Sequence, residues 1–274
     1  MPHHPYPMRR RFARFTAIPI AVVIGISTAA TIASPVSAES AGGAQHKAAA
    51  VAAVGDAPFC PPGKWQAYRF HDDMENPNFQ TAMPGNRGGA WWAGGDEASK
   101  AQGAAIEPHD NIAAEEIPGG RCDSRYAIHV TGHGFMEWAV ASVSFGYGSV
   151  DGGAPNVLPY DASFRTGIDF WARIGDTSTN QIRVEIPDRY SSDVGGICDP
   201  TATADKSKFC YDHFGTPLVG ISTEWRHYRI PFLGLGQEDF GIPRPHIDTT
   251  ALYSIDFSFP SAPFDFWIDD LYFY

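Results

Sequence analysis

Seven side chains on alternating segments have the chemistry of a ligand surface: Trp171, Arg173, Arg183, Glu185, His227, Arg229 and Asp256. In the run Gly167 to Ile174, extended backbone would put Ile168, Phe170, Ala172 and Ile174 on one face and Asp169, Trp171 and Arg173 on the other. Ile182, Val184 and Ile186 separate in the same way from Arg183 and Glu185, and Tyr253, Ile255 and Phe257 from Ser254, Asp256 and Ser258. If these strands are neighbours, the seven residues form a charged, aromatic-bearing groove on a rigid sheet. Such a surface suits a sugar, because a ring stacks on the apolar C–H face of a pyranose while charged groups bond its hydroxyls in pairs. An ordinary solvated face, with Arg and Glu pairing across strands for about 0.2–1 kcal/mol, has the same pattern.

Trp91 and Trp92 lie in the glycine-rich stretch Gly88 to Gly95, which reads as a loop beside the sheet. One of the two is expected to plug the sandwich and the other to be an exposed stacking platform. Trp267, between Phe266 and Ile268, reads as core. Catalytic signals are thinner. His129 and His133 have the i,i+4 spacing of helical zinc ligands, but along a strand that spacing separates them by roughly 13 Å. No GxSxG, HExxH or P-loop occurs. Glu185 and Asp256 would suit a glycosidase if their carboxylates lay about 5 to 9 Å apart. Arg183, His227 and Tyr228 are residue types that a jelly-roll polysaccharide lyase uses. Arg183-Val184-Glu185-Ile186-Pro187 begins like the Arg-x-Glu-x-Arg strand of alginate lyases but ends in proline.

The elements that must position these residues are strands. Alternating segments closed by Gly, Pro or Asp recur at Lys64 to Phe70, Tyr126 to Val130, Trp138 to Tyr147, Gly167 to Ile174, Gln181 to Pro187, Trp225 to Phe232, Leu252 to Phe259 and Phe264 to Tyr274. Helical periodicity is almost absent. Eight or more such strands predict an all-β sandwich of two antiparallel sheets.

Residues 1–38 contain Arg9, Arg10, Arg11 and Arg14, no acidic residue, the apolar run Phe15 to Ala33, and the small-x-small stretch Val36-Ser37-Ala38. This is the pattern of a cleavable signal peptide. A retained anchor suits it less, because Pro19, Gly25, Ser27, Thr28 and Thr31 dilute a run that hardly reaches the roughly 20 residues of a span. Arg9 to Arg14 also resembles a twin-arginine export signal, so the export route stays open. Residues 39–57 are Ala/Gly-rich and read as a disordered spacer, leaving 58–274 as one domain. Of 20 Lys+Arg and 31 Asp+Glu, four arginines belong to the signal; the rest carries 16 against 31, a formal charge of −15. Nucleic acid and anionic membrane surfaces are poor partners for such a chain. In an exported chain the four cysteines predict disulfides, with Cys198–Cys210 and Cys60–Cys122 favoured among three connectivities because Asp199 to Phe209 is a polar loop in need of a staple.

Several segments share a further pattern. Phe70-His71-Asp72-Asp73-Met74-Glu75 resembles the DDFED-type opening strand of galactose-binding-like jelly-roll domains, a group that includes carbohydrate-binding modules. Asn86-Arg87-Gly88-Gly89-Ala90-Trp91-Trp92 with Asp96, Tyr160-Asp161-Ala162-Ser163 with Gly167 to Arg173, and Trp267-Ile268-Asp269-Asp270-Leu271-Tyr272-Phe273 resemble further segments of that group. His71 and Met74 depart from it. The resemblance implies a β-jelly roll whose first and last strands pair, with a sugar-binding or structural role. Pairing would bring Asp72, Asp73 and Glu75 near Asp269 and Asp270, and carboxylates at that density repel unless a cation or hydrogen bonds compensate. A structural Ca²⁺ on these five residues is the implied cofactor. The leading expectation is a secreted, non-catalytic protein that binds a polysaccharide or glycan. A carbohydrate-active enzyme on the same groove and a structural or adhesive exoprotein are the alternatives.

Overall fold

The computed structural model describes residues 71–76, 80–83, 87–148 and 156–274. The expected signal peptide, the spacer, the segment Lys64 to Phe70 and Cys60 lie outside these residues. Among the described residues the chain forms β1 (His71–Asp72), β2 (Gln80–Met83), β3 (Arg87–Gly95), β4 (Ala105–Glu107), β5 (Asp110–Asn111) and β6 (Glu115–Arg121). Next come β7 (Ser124–His133), β8 (Ala139–Ser144), β9 (Tyr147–Gly148), β10 (Asn156–Val157), β11 (Gly167–Ile174) and β12 (Gln181–Ile186). The last four are β13 (Phe214–Val219), β14 (Arg226–Pro231), β15 (Ser254–Phe259) and β16 (Phe264–Phe273). A single turn of helix, α1 (Glu97–Lys100), is capped by the Asp96 side chain.

The strands make two antiparallel sheets. The first runs β14-β11-β16-β7-β4, with β1 added on β16 and β6 on β7. The second runs β10-β9-β3-β8-β15-β12-β13, with β2 and β5 added on β3. The expected sandwich is therefore present, and its first and last described strands pair, His71 opposite Tyr272 and Asp72 opposite Leu271.

Strict alternation builds the core. Ile168, Phe170, Ala172 and Ile174 of β11 meet Ile182, Val184 and Ile186 of β12 and Ile255, Phe257 and Phe259 of β15 in one buried cluster. Phe257 is its hub: Phe170 meets it edge-on at 5.3 Å between ring centroids, Phe266 at 5.8 Å and Trp91 at 6.2 Å. Gly132 lets β7 approach its neighbours, since a Cβ there would enter the Phe264 ring and the Ala105 carbonyl.

The glycine-rich stretch expected to be a loop is instead strand β3 within the second sheet, paired with β8. Glycines at 88, 89, 94 and 95 masked its β character, because glycine contributes no side chain to a pattern.

Long connections between strands are tied by buried carboxylates. Asp188 accepts from the backbone N–H groups of Tyr190, Ser191 and Asp248. Asp212 accepts from those of Glu238, Phe240 and Gly241, while its burial pushes its carboxyl above the ordinary range. Between them lies the expected disulfide Cys198–Cys210, with Cα atoms 5.1 Å apart. Cys122 is disulfide-bonded as well. Replacing both Cys198 and Cys210 by serine should lower unfolding stability by about 3 kcal/mol, the chain-entropy value for a loop of this size. Thermal or urea unfolding checks this; an unchanged midpoint would mean that Asp188 and Asp212 hold the region unaided.

Candidate functional site

The seven residues of the expected groove do not meet. Trp171, Arg173, His227 and Arg229 stand on β11 and β14 of the first sheet, whereas Arg183, Glu185 and Asp256 stand on β12 and β15 of the second. Both sets point away from the shared core, so they occupy opposite sides of the sandwich. Alternation assigns each residue to a face but cannot say which strands are neighbours, and that is where the single groove fails.

On the first sheet the outer face is covered. Strand β6 folds back along β7, and between Glu116 and Arg121 its register slips. Gly119 and Gly120, at φ +81° and +70°, make the slip possible. The excursion buries Ile117 against Ala127 and Trp267, a small second core on the outside of the sheet. Arg121 follows, with its guanidinium 4.9 Å from the Trp171 ring centroid and 5.7 Å from that of Trp225. Trp171 is consequently only 5 % exposed. It is not an open platform, and Trp267, expected to be core, is buried in this second, outer core.

Arg121 also answers the acid cluster. Its Nε lies 2.7 Å from Asp269 Oδ2, and its Nη2 binds Asp270 Oδ2. Two consecutive strand residues normally point to opposite faces. Here β16 has one extra residue relative to β11, because Tyr272 faces Asp169 and Asp269 faces Trp171. This bulge, with Asp270 at φ +50°, lets both carboxylates reach one guanidinium. Burial pushes the Asp269 carboxyl up to about 7; Arg121 opposes the rise and Asp270 adds to it.

The remaining acids are committed to other donors. Asp72 Oδ1 accepts from Met74 N–H and Oδ2 from Trp91 Nε1 at 2.8 Å. Asp73 accepts from Glu75 N–H. Glu75 Oε1 accepts from Ser124 Oγ and from the N–H groups of Arg125 and Tyr126. Among the described residues no three His, Cys, Asp or Glu gather to hold a metal ion. Calcium takes six to eight oxygens, and Asp72, Asp73, Glu75, Asp269 and Asp270 do not fit it: a guanidinium stands at the acid pair and hydrogen-bond donors at the rest.

Further along the same face, Asp169 is fully buried and takes a two-pronged ion pair from Arg229, Nη2–Oδ2 at 2.6 Å and Nε–Oδ1 at 3.0 Å. His227 Nε2 approaches Oδ1 at 3.3 Å. Burial alone would raise the Asp169 carboxyl, but His227 and Arg229 together hold it below the usual range. Asp169 was legible only as an outward residue; its role comes from the partner directly opposite on β14.

The outer face of the second sheet has different chemistry. Strand register places Trp92, Ser142, Asp256, Glu185 and Gly215 side by side in one row across five strands. At about 4.8 Å per strand the row from Trp92 to Glu185 spans roughly 14 Å. Flanking positions on this face are small: Ser144 and Ser254 on one side, Val140 and Ser258 on the other. Ser142 and Ser254 donate to Asp256 Oδ1 at 2.6 and 2.8 Å, and Ser258 donates to Glu185 Oε2 at 2.5 Å. Arg183 Nε donates to Glu185 Oε1 at 3.1 Å, and Glu238 stands 3.7 Å from the same guanidinium. Ser142 and Glu185 form a buried floor, while Trp92, Arg183 and Asp256 are half-buried. The Trp92 six-membered ring approaches Gly94, its Cζ3 3.0 Å from where a Cβ would be, so the glycine leaves room for the indole. Trp91 points the other way, 1 % exposed in the core.

No protein-family model matches the sequence, and no curated protein matches it. Among solved structures, the chain is similar to the family 30 carbohydrate-binding module of the cellulosomal cellulase Cel9D-Cel44B of Clostridium thermocellum. That match has 15 % identity and a TM-score of 0.45, covering 67 % of this chain and 90 % of the module. It is also similar to the family 11 module from Clostridium thermocellum in complex with a β-1,3-1,4-mixed-linked tetrasaccharide, at 16 % identity and a TM-score of 0.41, covering 68 % and 87 %. The two-sheet β-sandwich is set by this chain's own strand order and register.

Two outcomes test the first-sheet layer. Arg121→Gln should cost about 3–5 kcal/mol at neutral pH, because it leaves Asp269 buried without its cation. That loss should shrink toward pH 5: a carboxyl whose folded pKa is raised destabilises as pH climbs above its unfolded value, and protonation relieves it. Denaturant unfolding of parent and variant at pH 5 and pH 8 reads the difference. Asp169→Asn should cost about 1–3 kcal/mol above pH 5. The gap to the parent should close as pH falls below about 4, since a depressed carboxyl stabilises only while ionised. A pH-independent gap would show that the ion pair with Arg229 does not cause it.

Proposed function

We propose that this is an exported, non-catalytic carbohydrate-binding protein that holds a glycan chain across the outer face of its second sheet. The observation that carries the reading is the in-register row Trp92, Ser142, Asp256 and Glu185. It joins a half-buried indole to hydroxyl and carboxylate groups on rigid backbone, the combination by which a site stacks a sugar ring and bonds its hydroxyls. Neighbouring serines keep the floor low, and Arg183 with Glu238 forms a charged flank.

Export is supported by the bonded cysteines and by the Arg-rich, apolar and small-x-small order of residues 1–38. No helix among the described residues is long and apolar enough to cross a membrane. Cross-strand pairing of Glu185 with Asp256 favours one second reading, a glycoside hydrolase on the same row.

Affinity electrophoresis against soluble β-glucans, xylans, mannans and galactans tests both. Retention by at least one polymer is expected, and Trp92→Ala should weaken it tenfold or more, about 1.4 kcal/mol, with the melting temperature little changed. Retention unaltered by Trp92→Ala, or absent on every polymer, would overturn the proposal. New reducing ends that disappear in Asp256→Asn and Glu185→Gln would establish the hydrolase instead.

A further inference from the structure

A depression of about 480 Å³ opens on the opposite side of the sandwich, at the end of the first sheet where β11, β16 and β7 run together. His129, Arg173, Asp176, Glu224, Asp265 and Trp267 are among its walls. None belongs to the row on the second sheet.

Arg173 sets its chemistry. The guanidinium lies 4.6 Å from the Trp267 ring centroid and 5.4 Å from that of Trp225, so two indoles hold the cation. Its Nε is buried without a hydrogen-bond partner among the described residues. With no accessible surface of its own, that Nε is not reached from the depression, so any donor Arg173 offers there is an Nη group. The other walls are already organised. His129 stacks on Trp267 at 3.8 Å, with Nδ1 2.7 Å from Glu115 Oε2 and Nε2 2.9 Å from Asp265 Oδ1. Asp176 and Glu224 are exposed at the rim. Gly175 makes room for Asp265, since a Cβ there would enter its carboxylate.

A ligand for this depression must accept from a planar donor fork and offer donors to carboxylates. One guanidinium against the carboxylates of Asp176, Glu224 and Asp265 disfavours an anion. A neutral vicinal diol meets both demands, because each hydroxyl both donates and accepts. We propose that the depression is a second binding pocket, for a single neutral sugar residue, in which Arg173 donates to one hydroxyl of a vicinal diol and a wall carboxylate accepts from its neighbour. The pocket would hold a chain end or side-chain sugar while the row on the far side holds a backbone, a division that rests on the glycan-binding reading of that row.

The test is a titration of the full ¹⁵N-labelled chain with the methyl glycosides of glucose, galactose, mannose and xylose, followed at arginine Nε–H and tryptophan Nε1–H signals. At least one glycoside should shift the Arg173 and Trp267 signals saturably, with Kd on the order of 1 mM. Arg173→Lys keeps the cation on the indoles but lacks the fork, and it should weaken that response tenfold or more. Because Trp92 lies on the other sheet, Trp92→Ala should leave the response intact, so polymer retention and pocket binding fail separately. No shift with any glycoside, an equal response of the Trp267 signal in Arg173→Lys, or a stronger response to methyl glucuronide would each overturn the proposal.

Discussion

Arg121 is buried between two tryptophans and two carboxylates, and most of the first sheet's outer face depends on that arrangement. Removing a guanidinium from water is costly unless opposite charge and hydrogen bonds replace the lost hydration. Asp269 and Asp270 supply both, and the bulge in β16 is what puts two consecutive acids within reach. Ile117 and the β6 excursion then close over Trp267, tying the edge hairpin to the last strand.

The consequence is a sandwich with two unlike outer faces. Large rings and cations cover the first sheet: Trp171, Arg121, Trp225, Arg173, Trp267 and His129 follow one another through cation–π and stacking contacts. Each desolvated cation–π contact contributes up to about 2 kcal/mol, so this layer stabilises as well as shapes the surface. The depression lies where the layer ends, at Arg173. The second sheet has serines in many of its outward positions, and small side chains leave the carboxylates and one indole as its relief. Charge placement differs accordingly. On the first sheet the buried acids are neutralised by Arg121 and Arg229, and on the second Asp256 and Glu185 accept from serine hydroxyls.

The acid cluster shows how one requirement can be met in two ways. Carboxylates crowded by strand pairing need compensation, and the sequence makes that need visible at Asp269 and Asp270 without naming the compensating group. A cation from solvent and a cation from the chain satisfy the same electrostatics. Arg121 lies 148 residues from Asp269, and only the return of β6 along β7 brings the two together.

Alternation along β11, β12 and β15 was enough to establish the β-sandwich, the inward set Ile168, Phe170, Val184 and Phe257, and the outward set to which Trp171, Arg173, Glu185 and Asp256 belong. The polar loop between Cys198 and Cys210 likewise announced its own disulfide. These are local properties: side-chain period and short-range closure are written within ten or so consecutive residues. Strand adjacency is not local. That Trp171 and Glu185 lie on opposite sides, that Trp92 and Asp256 share a row, and that Arg173 stands between two indoles beside an opening depend on sheet order, register and one bulge. Those follow from how all the strands bury their inward faces together, a condition on the whole chain that only the tertiary structure could decide.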